Sequence, residues 1–117
     1  MIEVLKCKLN QVIVTEASLE YEGSITIDED LMDAAGLKEY ERVEVNGKTS
    51  PSRIVTYVIK GKRNSGVIEM NGGAALHFKK GDIVHVLCYH LVQGKYTTTI
   101  VYTDKNNKLK NLKQITQ

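Results

Sequence analysis

Hydrophobic and polar positions along this chain alternate in short runs, with no long apolar stretch. The runs are rich in Val, Ile, Thr and Tyr, which favour β-strands. Turn signals such as Asn46-Gly47 and Gly81-Asp82 separate them. This pattern predicts a mainly β domain, built as a compact barrel or sandwich without βαβ units. The predicted strands cover residues 4–9, 12–15, 25–27, 43–45, 54–59, 67–70, 83–88 and 98–102.

One short helix is well marked between these strands. Asp28 can cap its start, Leu31, Met32 and Ala35 fall on one side, and Gly36 can end it. A second short helical turn is predicted over residues 74–78. Residues 105–117 combine Lys and Asn with apolar residues at three-residue spacing, and we predict a partly ordered tail there.

The totals describe one domain, residues 1–117, with 42% hydrophobic and 26% charged residues. A chain of this size buries a modest core, so association with further copies would add stability. The net charge of +2 is too small to indicate a nucleic-acid partner. Glu3, Lys6 and Lys8 interrupt the region where a signal peptide would be apolar. We therefore expect a cytoplasmic protein without a membrane segment.

The cysteines and histidines do not predict a metal site. Cys7 and Cys88 each lie inside a separate apolar run, which favours buried free thiols over a disulfide. There is no Cys-x-x-Cys, and His77, His85 and His90 do not have zinc-ligand spacing.

The dipeptide Gly23-Ser24, just before a predicted strand, is a candidate for self-cleavage. A serine hydroxyl aimed at the preceding carbonyl can convert the amide to an ester, and elimination then leaves a ketone. Glycine suits the upstream position because it has no Cβ to hinder attack and tolerates unusual backbone angles. As an isolated dipeptide, Gly-Ser is usually an ordinary turn.

Three polar residues on predicted strands are candidates for binding a small anionic ligand. Alternation places Arg53 and Tyr57 on the same strand face, where arginine can grip a carboxylate and tyrosine can donate a proton. Lys8 is the third, on the first strand. Each of them is also compatible with an ordinary surface position.

A stretch of very small side chains follows the predicted strand that ends at Met70. If the next turn is helical, the amides of Gly72, Gly73 and Ala74 can point into a concavity and bind an anion, with Asn71 as an additional polar contact. Asn-Gly is also a common hairpin turn, so this motif is weak by itself.

Taken together, these motifs resemble the pyruvoyl-dependent aspartate 1-decarboxylases, also called aspartate alpha-decarboxylases. The resemblance is collinear from Lys8 to Val84, and residues 19–35, which include Tyr21 and Gly23-Ser24, are among its most specific parts. It implies a double-psi β-barrel and a homotetramer with active sites between subunits. It also implies self-cleavage into residues 1–23, the β chain, and residues 24–117, the α chain.

On this resemblance Ser24 becomes a pyruvoyl group, a covalent and self-generated cofactor. Its ketone condenses with a substrate amine to a Schiff base and accepts the electrons released as carbon dioxide departs. The implied reaction converts L-aspartate to β-alanine, a carbon–carbon lyase step that feeds pantothenate synthesis. Tyr57 would return a proton, and Thr56 would assist the cleavage at Gly23. The implied substrate-binding residues are Lys8, Arg53, Thr56, Asn71, Gly72, Gly73 and Ala74.

Strict alternation places Thr56 and Tyr57 on opposite faces of their strand. Two arrangements are compatible with both roles: the strand bends at this point, or Thr56 serves the cleavage site of a neighbouring chain.

The chain departs from the family pattern at four places. Asn10 stands where histidine is common, residues 46–52 form a longer loop before the arginine, and Gly73 stands where alanine is usual. The carboxyl-terminal region is shorter and lacks the usual proline before Ile100-Val101. A paralogue acting on another small amino acid therefore stays open, as does the need for a maturation factor. A different class of protein also stays open, namely a non-catalytic β-barrel module that binds nucleic acid through Lys105, Lys108, Lys110 and Lys113.

Overall fold

A computed structural model describes residues 1–20 and 22–117. Within these residues, nine strands form one mixed sheet in the order β2-β6-β3-β5-β4-β7-β1-β8-β9. The mainly β, barrel-like class predicted from the sequence is confirmed. The strands are β1 Ile2–Ile13, β2 Glu16–Ser18, β3 Ser24–Asp28, β4 Arg42–Gly47, β5 Arg53–Gly61, β6 Ile68–Asn71, β7 Ile83–Val92, β8 Thr97–Thr103 and β9 Leu109–Thr116.

The first strand is longer than the pattern predicts. β1 joins what the sequence divides into two strands, and its pairing with β7 shifts between Leu5 and Cys7 and again between Leu9 and Val12. Gln11 has a φ of 57° within the second irregularity. Such bulges bend a strand and increase its twist. They allow β1 to pair with β7 on one side and β8 on the other.

Parallel and antiparallel pairs are mixed in a way that requires chain crossovers. β3 pairs in parallel with β5 and antiparallel with β6, while β1 pairs in parallel with β8. Residues distant in the sequence therefore become direct neighbours. The start of β3 lies against the end of β6, with Ser24 opposite Asn71.

The predicted helix is confirmed as α1, Glu29–Ala35. The Asp28 side chain accepts a hydrogen bond from the Asp30 amide, and Gly36 ends the helix in the left-handed conformation. Leu31, Met32 and Ala35 are buried, as their spacing predicts. The second predicted turn is a 3-10 helix, Gly72–Leu76, which begins two residues earlier than expected.

The prediction of a partly ordered tail over residues 105–117 is wrong for most of that segment. Residues Leu109–Thr116 form β9, which pairs with β8 from Thr97 opposite Thr116 to Thr103 opposite Leu109. Asn107 anchors the preceding turn: its Nδ2 donates to the carbonyls of Ile13 and Gly66, and its Oδ1 accepts from the Ile13 amide. The polar composition of this segment does not predict a strand, because the strand forms by pairing with β8 in the tertiary structure.

The core lies between α1 and the inner faces of the strands. Alternation places the buried residues of β1, β4 and β7 on one face, for example Leu9, Val45 and Val86. Phe78, after the 3-10 helix, is among the largest fully buried side chains. In residues 1–20 and 22–117, no helix is long and apolar enough to cross a membrane.

Candidate active site

Ser24 is the first residue of β3, and its side chain is buried, with 4% of the residue exposed. Asn71 Nδ2 donates to Ser24 Oγ at 2.8 Å and also to Thr26 Oγ1 at 3.0 Å. Asn71 is itself 6% exposed and does not cap the 3-10 helix that follows it. The register of β3 and β6 therefore fixes the serine oxygen against one amide group.

Gly23 lies at the wall of a cavity of about 430 Å³. A Cβ added to Gly23 would lie 4.0 Å from both the Asn71 carbonyl oxygen and the Gly73 amide nitrogen. The bond between Gly23 and Ser24 therefore runs close to the backbone that begins the 3-10 helix. The cavity is lined by Gly23, Ile54, Val55, Thr56, Tyr57, Gly73, Ala74, Leu76 and His77.

Thr56 and Tyr57 line the same cavity as Gly23 within a single chain. Val58 of β5 is opposite Ile25 in the parallel pairing, which brings the residues just before Val58 alongside Gly23. Thr56 and Tyr57 can both line a cavity at the start of β3, even though consecutive side chains of β5 point to opposite faces of the sheet. No partner chain is needed to bring Thr56 near the Gly23-Ser24 bond.

A second cavity, of about 490 Å³, lies on the Ser24 side of the same bond. Tyr57 lines both cavities, and its ring centroid is 6.2 Å from that of Tyr40. The residues around this second cavity are Glu22, Ser24, Thr26, Tyr57, Ile59, Glu69 and Asn71. Tyr21 lies outside the described residues.

Lys8 and Arg53 do not line either cavity. Two strands, β7 and β4, lie between Lys8 and β5. The residues that pair across this row are Lys8, Leu87, Glu44 and Val55, in that order. At a strand spacing of about 4.8 Å, the Lys8 backbone is roughly 14 Å from Val55. Arg53 is exposed at the start of β5. A single chain thus brings together the residues predicted to act in cleavage, without these two cations.

Lys8 contributes to a basic area on the outer face of the sheet. Burial lowers the pKa of His85, and the positive charges of Lys8 and Lys48 lower it further. The Gln11 amide donates to His85 Nδ1 at 3.3 Å, which suits a neutral imidazole. Two lysines beside a neutral histidine make this area able to attract a carboxylate.

Sequence reasoning missed Thr26, Glu22 and Glu69. Thr26 accepts a hydrogen bond from Asn71, and Glu69 is opposite Thr26 in the β3–β6 pairing. The spacing of Ser24 and Thr26 on one strand face was the available signal, since residues two apart share a face. The position of Glu69 depends on strand register, which the sequence pattern does not display.

Another cavity, of about 480 Å³, lies beside β8 and β9 and includes Asn10, Lys105 and Lys110. None of the residues predicted to act in cleavage or to return a proton lines it. Lys108 donates to the Asn64 side chain at 3.0 Å. The lysines near the carboxyl terminus are thus engaged in a strand and its turn, unlike a free basic tail.

The described residues hold no group of three or more His, Cys, Asp or Glu side chains able to bind a metal ion. The groups that line the site are the serine hydroxyl, its amide partner, and the tyrosine and threonine hydroxyls. A buried hydroxyl beside a Gly carbonyl and backbone amides is an arrangement suited to acyl transfer within the chain.

The mainly β, barrel-like fold thus brings a buried serine, its amide partner and a tyrosine together at two adjoining cavities. The sequence model of the aspartate decarboxylase family matches residues 1–110. The chain belongs to the aspartate decarboxylase family.

Several aspartate 1-decarboxylases are similar to this chain over nearly its whole length. The protein from Caldicellulosiruptor saccharolyticus is 49% identical over 116 residues, which cover 96% of this chain and 91% of the relative. That from Leptospira biflexa is 45% identical, covering 94% and 98%. That from Acetivibrio thermocellus is 43% identical, covering 96% and 92%.

Proposed function

We propose that this chain cleaves itself between Gly23 and Ser24 and then decarboxylates L-aspartate to β-alanine and carbon dioxide. The observation that carries the proposal is the buried Ser24 hydroxyl, held at 2.8 Å by Asn71 beside the Gly23 cavity. The similarity to relatives named aspartate 1-decarboxylase supports the reaction and its substrate.

The cleavage uses groups of this chain only. Ser24 Oγ attacks the Gly23 carbonyl carbon, the C–N bond breaks, and the Ser24 nitrogen takes up the hydroxyl proton to become an amine, so that the chain is joined through an ester. The Asn71 amide orients the oxygen and stabilises negative charge on it as its proton leaves. Thr56 lines the same cavity, where its hydroxyl can donate to the Gly23 carbonyl oxygen as charge develops there.

Loss of the Ser24 α-proton then breaks the Cβ–O bond and releases Gly23 as a carboxylate. Water replaces the nitrogen of the resulting unsaturated residue, and ammonia leaves. The product is a pyruvoyl group at the start of the 24–117 fragment. This group is smaller than the serine from which it forms and adjoins the 490 Å³ cavity, so the surrounding residues fit it without repacking.

When present, the pyruvoyl group supplies an electron sink for the pair released as carbon dioxide departs. The residues of the chain bind the substrate and move protons. Tyr57 lines both cavities, which supports it as the group that would return a proton to the carbon that loses its carboxylate. Gly73 and Ala74 line the first cavity and Asn71 lines the second, and with Gly72 between them they would position the substrate.

Lys8 and Arg53 would bind the substrate carboxylates. Neither lines the two cavities of a single chain, which favours a site completed by another copy. The outer face of the sheet has exposed apolar residues, including Val55 and Tyr89, that a second copy can cover. We infer a homotetramer with sites between subunits. The cytoplasmic location and the supply of β-alanine for pantothenate synthesis belong to the same proposal.

The decisive experiment follows the intact mass of the purified chain during warm incubation. We expect conversion to residues 1–23 and 24–117, the longer fragment being blocked to Edman degradation and reactive with hydrazines. Ser24→Ala is the control and should stay intact. A wild-type chain that remains whole and inactive, even when a cell extract is added as a source of maturation factor, would contradict the proposal.

Substrate identity is tested separately, because Asn10, the 46–52 loop and Gly73 depart from the family pattern. Carbon dioxide release should be highest with L-aspartate when aspartate, glutamate and uncharged amino acids are compared. Preference for another amino acid by a cleaved chain would support the paralogue instead.

A further inference from the structure

Cys7 and Cys88 are direct partners across β1 and β7. Both residues are buried, with 1% of each exposed, and neither forms a disulfide. Directly opposite residues of antiparallel strands have Cα atoms about 4.5 or 5.5 Å apart. Both values lie inside the range of about 4.4–6.8 Å that disulfides span. The backbone thus needs no rearrangement to bring the two sulfurs together, although the sequence pattern suggested unrelated thiols.

The two thiols also differ in character. The neighbouring Cys7 thiol lowers the pKa of Cys88, whereas Cys88 and burial raise the pKa of Cys7. Cys88 Sγ also donates to the Arg42 carbonyl oxygen at 3.4 Å. Cys88 is therefore the thiol that ionises more readily, and a thiolate is the reactive form of cysteine.

The pair lies in the buried core, and a partly exposed ion pair acts on both thiols. Lys6 Nζ is 2.7 Å from a carboxylate oxygen of Glu41, whose side chain also contacts Cys88. Burial would raise the pKa of Glu41, but hydrogen bonds from Lys6 and from the Lys38 amide outweigh it and lower the pKa. The Lys6 charge lowers the pKa of both thiols, whereas the Glu41 charge raises it, so the two charges of this ion pair oppose each other at the thiols.

We propose that Cys7 and Cys88 form an oxidative modification site that a peroxide closes into a disulfide. The Cys88 thiolate attacks a peroxide oxygen: an S–O bond forms, the O–O bond breaks, and hydroxide leaves. Cys7 sulfur then attacks Cys88 sulfur, the S–S bond forms, the S–O bond breaks, and water leaves as Cys7 loses its proton. Two thiols are oxidised, and one peroxide is reduced to two molecules of water.

The consequence for the processed protein rests on the proposed cleavage. β1 lies in residues 1–23 and β7 in residues 24–117, so the disulfide would join the two fragments covalently. It would hold Lys8, the residue next to Cys7, in place on the sheet. In an uncleaved chain the same bond would be an ordinary internal cross-link.

The test treats the folded protein with hydrogen peroxide, blocks free thiols, and denatures it without reductant. We expect both thiols to be lost and the mass to fall by two hydrogen atoms per chain. In cleaved protein, residues 1–23 should travel with residues 24–117 until reductant is added. Cys7→Ala and Cys88→Ala are matched controls, and their fragments should separate without reductant.

The uncleaved Ser24→Ala chain separates this inference from the proposed function. It should lose two hydrogen atoms to peroxide in the same way, whether or not the wild-type chain ever cleaves. Two thiols that remain free in the folded protein, added oxygen in place of lost hydrogen, or cross-links only between chains would each overturn the inference.

Discussion

Asp28→Asn offers the sharpest test of how the fold holds the Ser24 strand. Asp28 ends β3 and is buried, with 1% of the residue exposed. Its carboxylate accepts three backbone hydrogen bonds: from Asp30 at 2.9 Å, Asn64 at 3.2 Å and Gly66 at 2.8 Å. One side chain therefore joins the end of β3, the start of α1 and the turn before β6.

The loss in free energy of unfolding depends on which of these hydrogen bonds each substitution removes. Asn keeps an oxygen for Asp30 and Asn64 but presents an NH2 group to the Gly66 amide, so two donors face each other. Hydrogen bonds to charged groups contribute about 1.5–3 kcal/mol each, so we expect Asp28→Asn to cost about 2–3 kcal/mol. Asp28→Ala removes all three bonds, including the helix cap, and should cost about 3–5 kcal/mol.

The assay is equilibrium urea denaturation at one fixed protein concentration, in a Ser24→Ala background so that a single chain unfolds. The midpoint should fall in the order wild type, Asp28→Asn, Asp28→Ala. Asp30→Asn is the matched control, because Asp30 forms an exposed ion pair with Arg63 and should cost less than about 1 kcal/mol. If Asp28→Asn costs no more than Asp30→Asn, the Gly66 contact does not stabilise the fold and the reasoning fails.

Three further predictions concern the site and its surroundings. Thr26→Val removes one acceptor of the Asn71 amide. Cleavage, followed by intact mass, should slow by about three- to tenfold, the rate change that corresponds to the free energy of one hydrogen bond. Thr26→Ser should restore the rate. Thr15→Val is the matched control, because it removes a hydroxyl that bonds the backbone of Ile68 instead of Asn71. It should leave the cleavage rate unchanged if Thr26 acts by positioning the Asn71 amide. Gly73→Ala should leave the stability unchanged or raise it by up to about 1 kcal/mol, because an added Cβ meets nothing within 4 Å. Gly47→Ala is the contrast: its Cβ would lie 2.1 Å from a backbone oxygen and should destabilise the fold. Thermal unfolding of both variants measures the difference. Because the pKa of Glu41 is lowered in the folded chain, its carboxylate adds stability above its unfolded pKa and loses it as the pH falls through the folded value. Glu41→Gln should therefore flatten the acid limb of a stability–pH curve, and an unchanged limb would contradict that assignment.

Local patterns predicted the elements well where one short segment carries the whole signal. Asp28 and Gly36 bound α1 because capping and the left-handed C-terminal turn involve only nearby residues. The same reasoning failed for β9, since a strand with many Lys and Asn residues is stabilised by the edge of β8. It also divided β1 in two, because a bulge resembles a turn when only the sequence is read.

The candidate site also has parts that the sequence predicted and parts that only the structure revealed. The sequence located Gly23-Ser24, Thr56-Tyr57 and the Asn71 to Ala74 block, and it supported the family before any geometry was known. It could not reveal that Asn71 donates to both Ser24 and Thr26, nor that two strands separate Lys8 from β5. Both facts depend on the order in which strands pair.

The sequence by itself determined the strand periodicity, the helix caps and the position of the bond proposed to break. Only the tertiary structure decided that Cys7 faces Cys88, that Ser24 faces Asn71, and that the last residues form a strand. The physical reason is the range of the interactions. Periodicity and capping act over a few residues, whereas register between distant strands is selected by burial of the whole core at once.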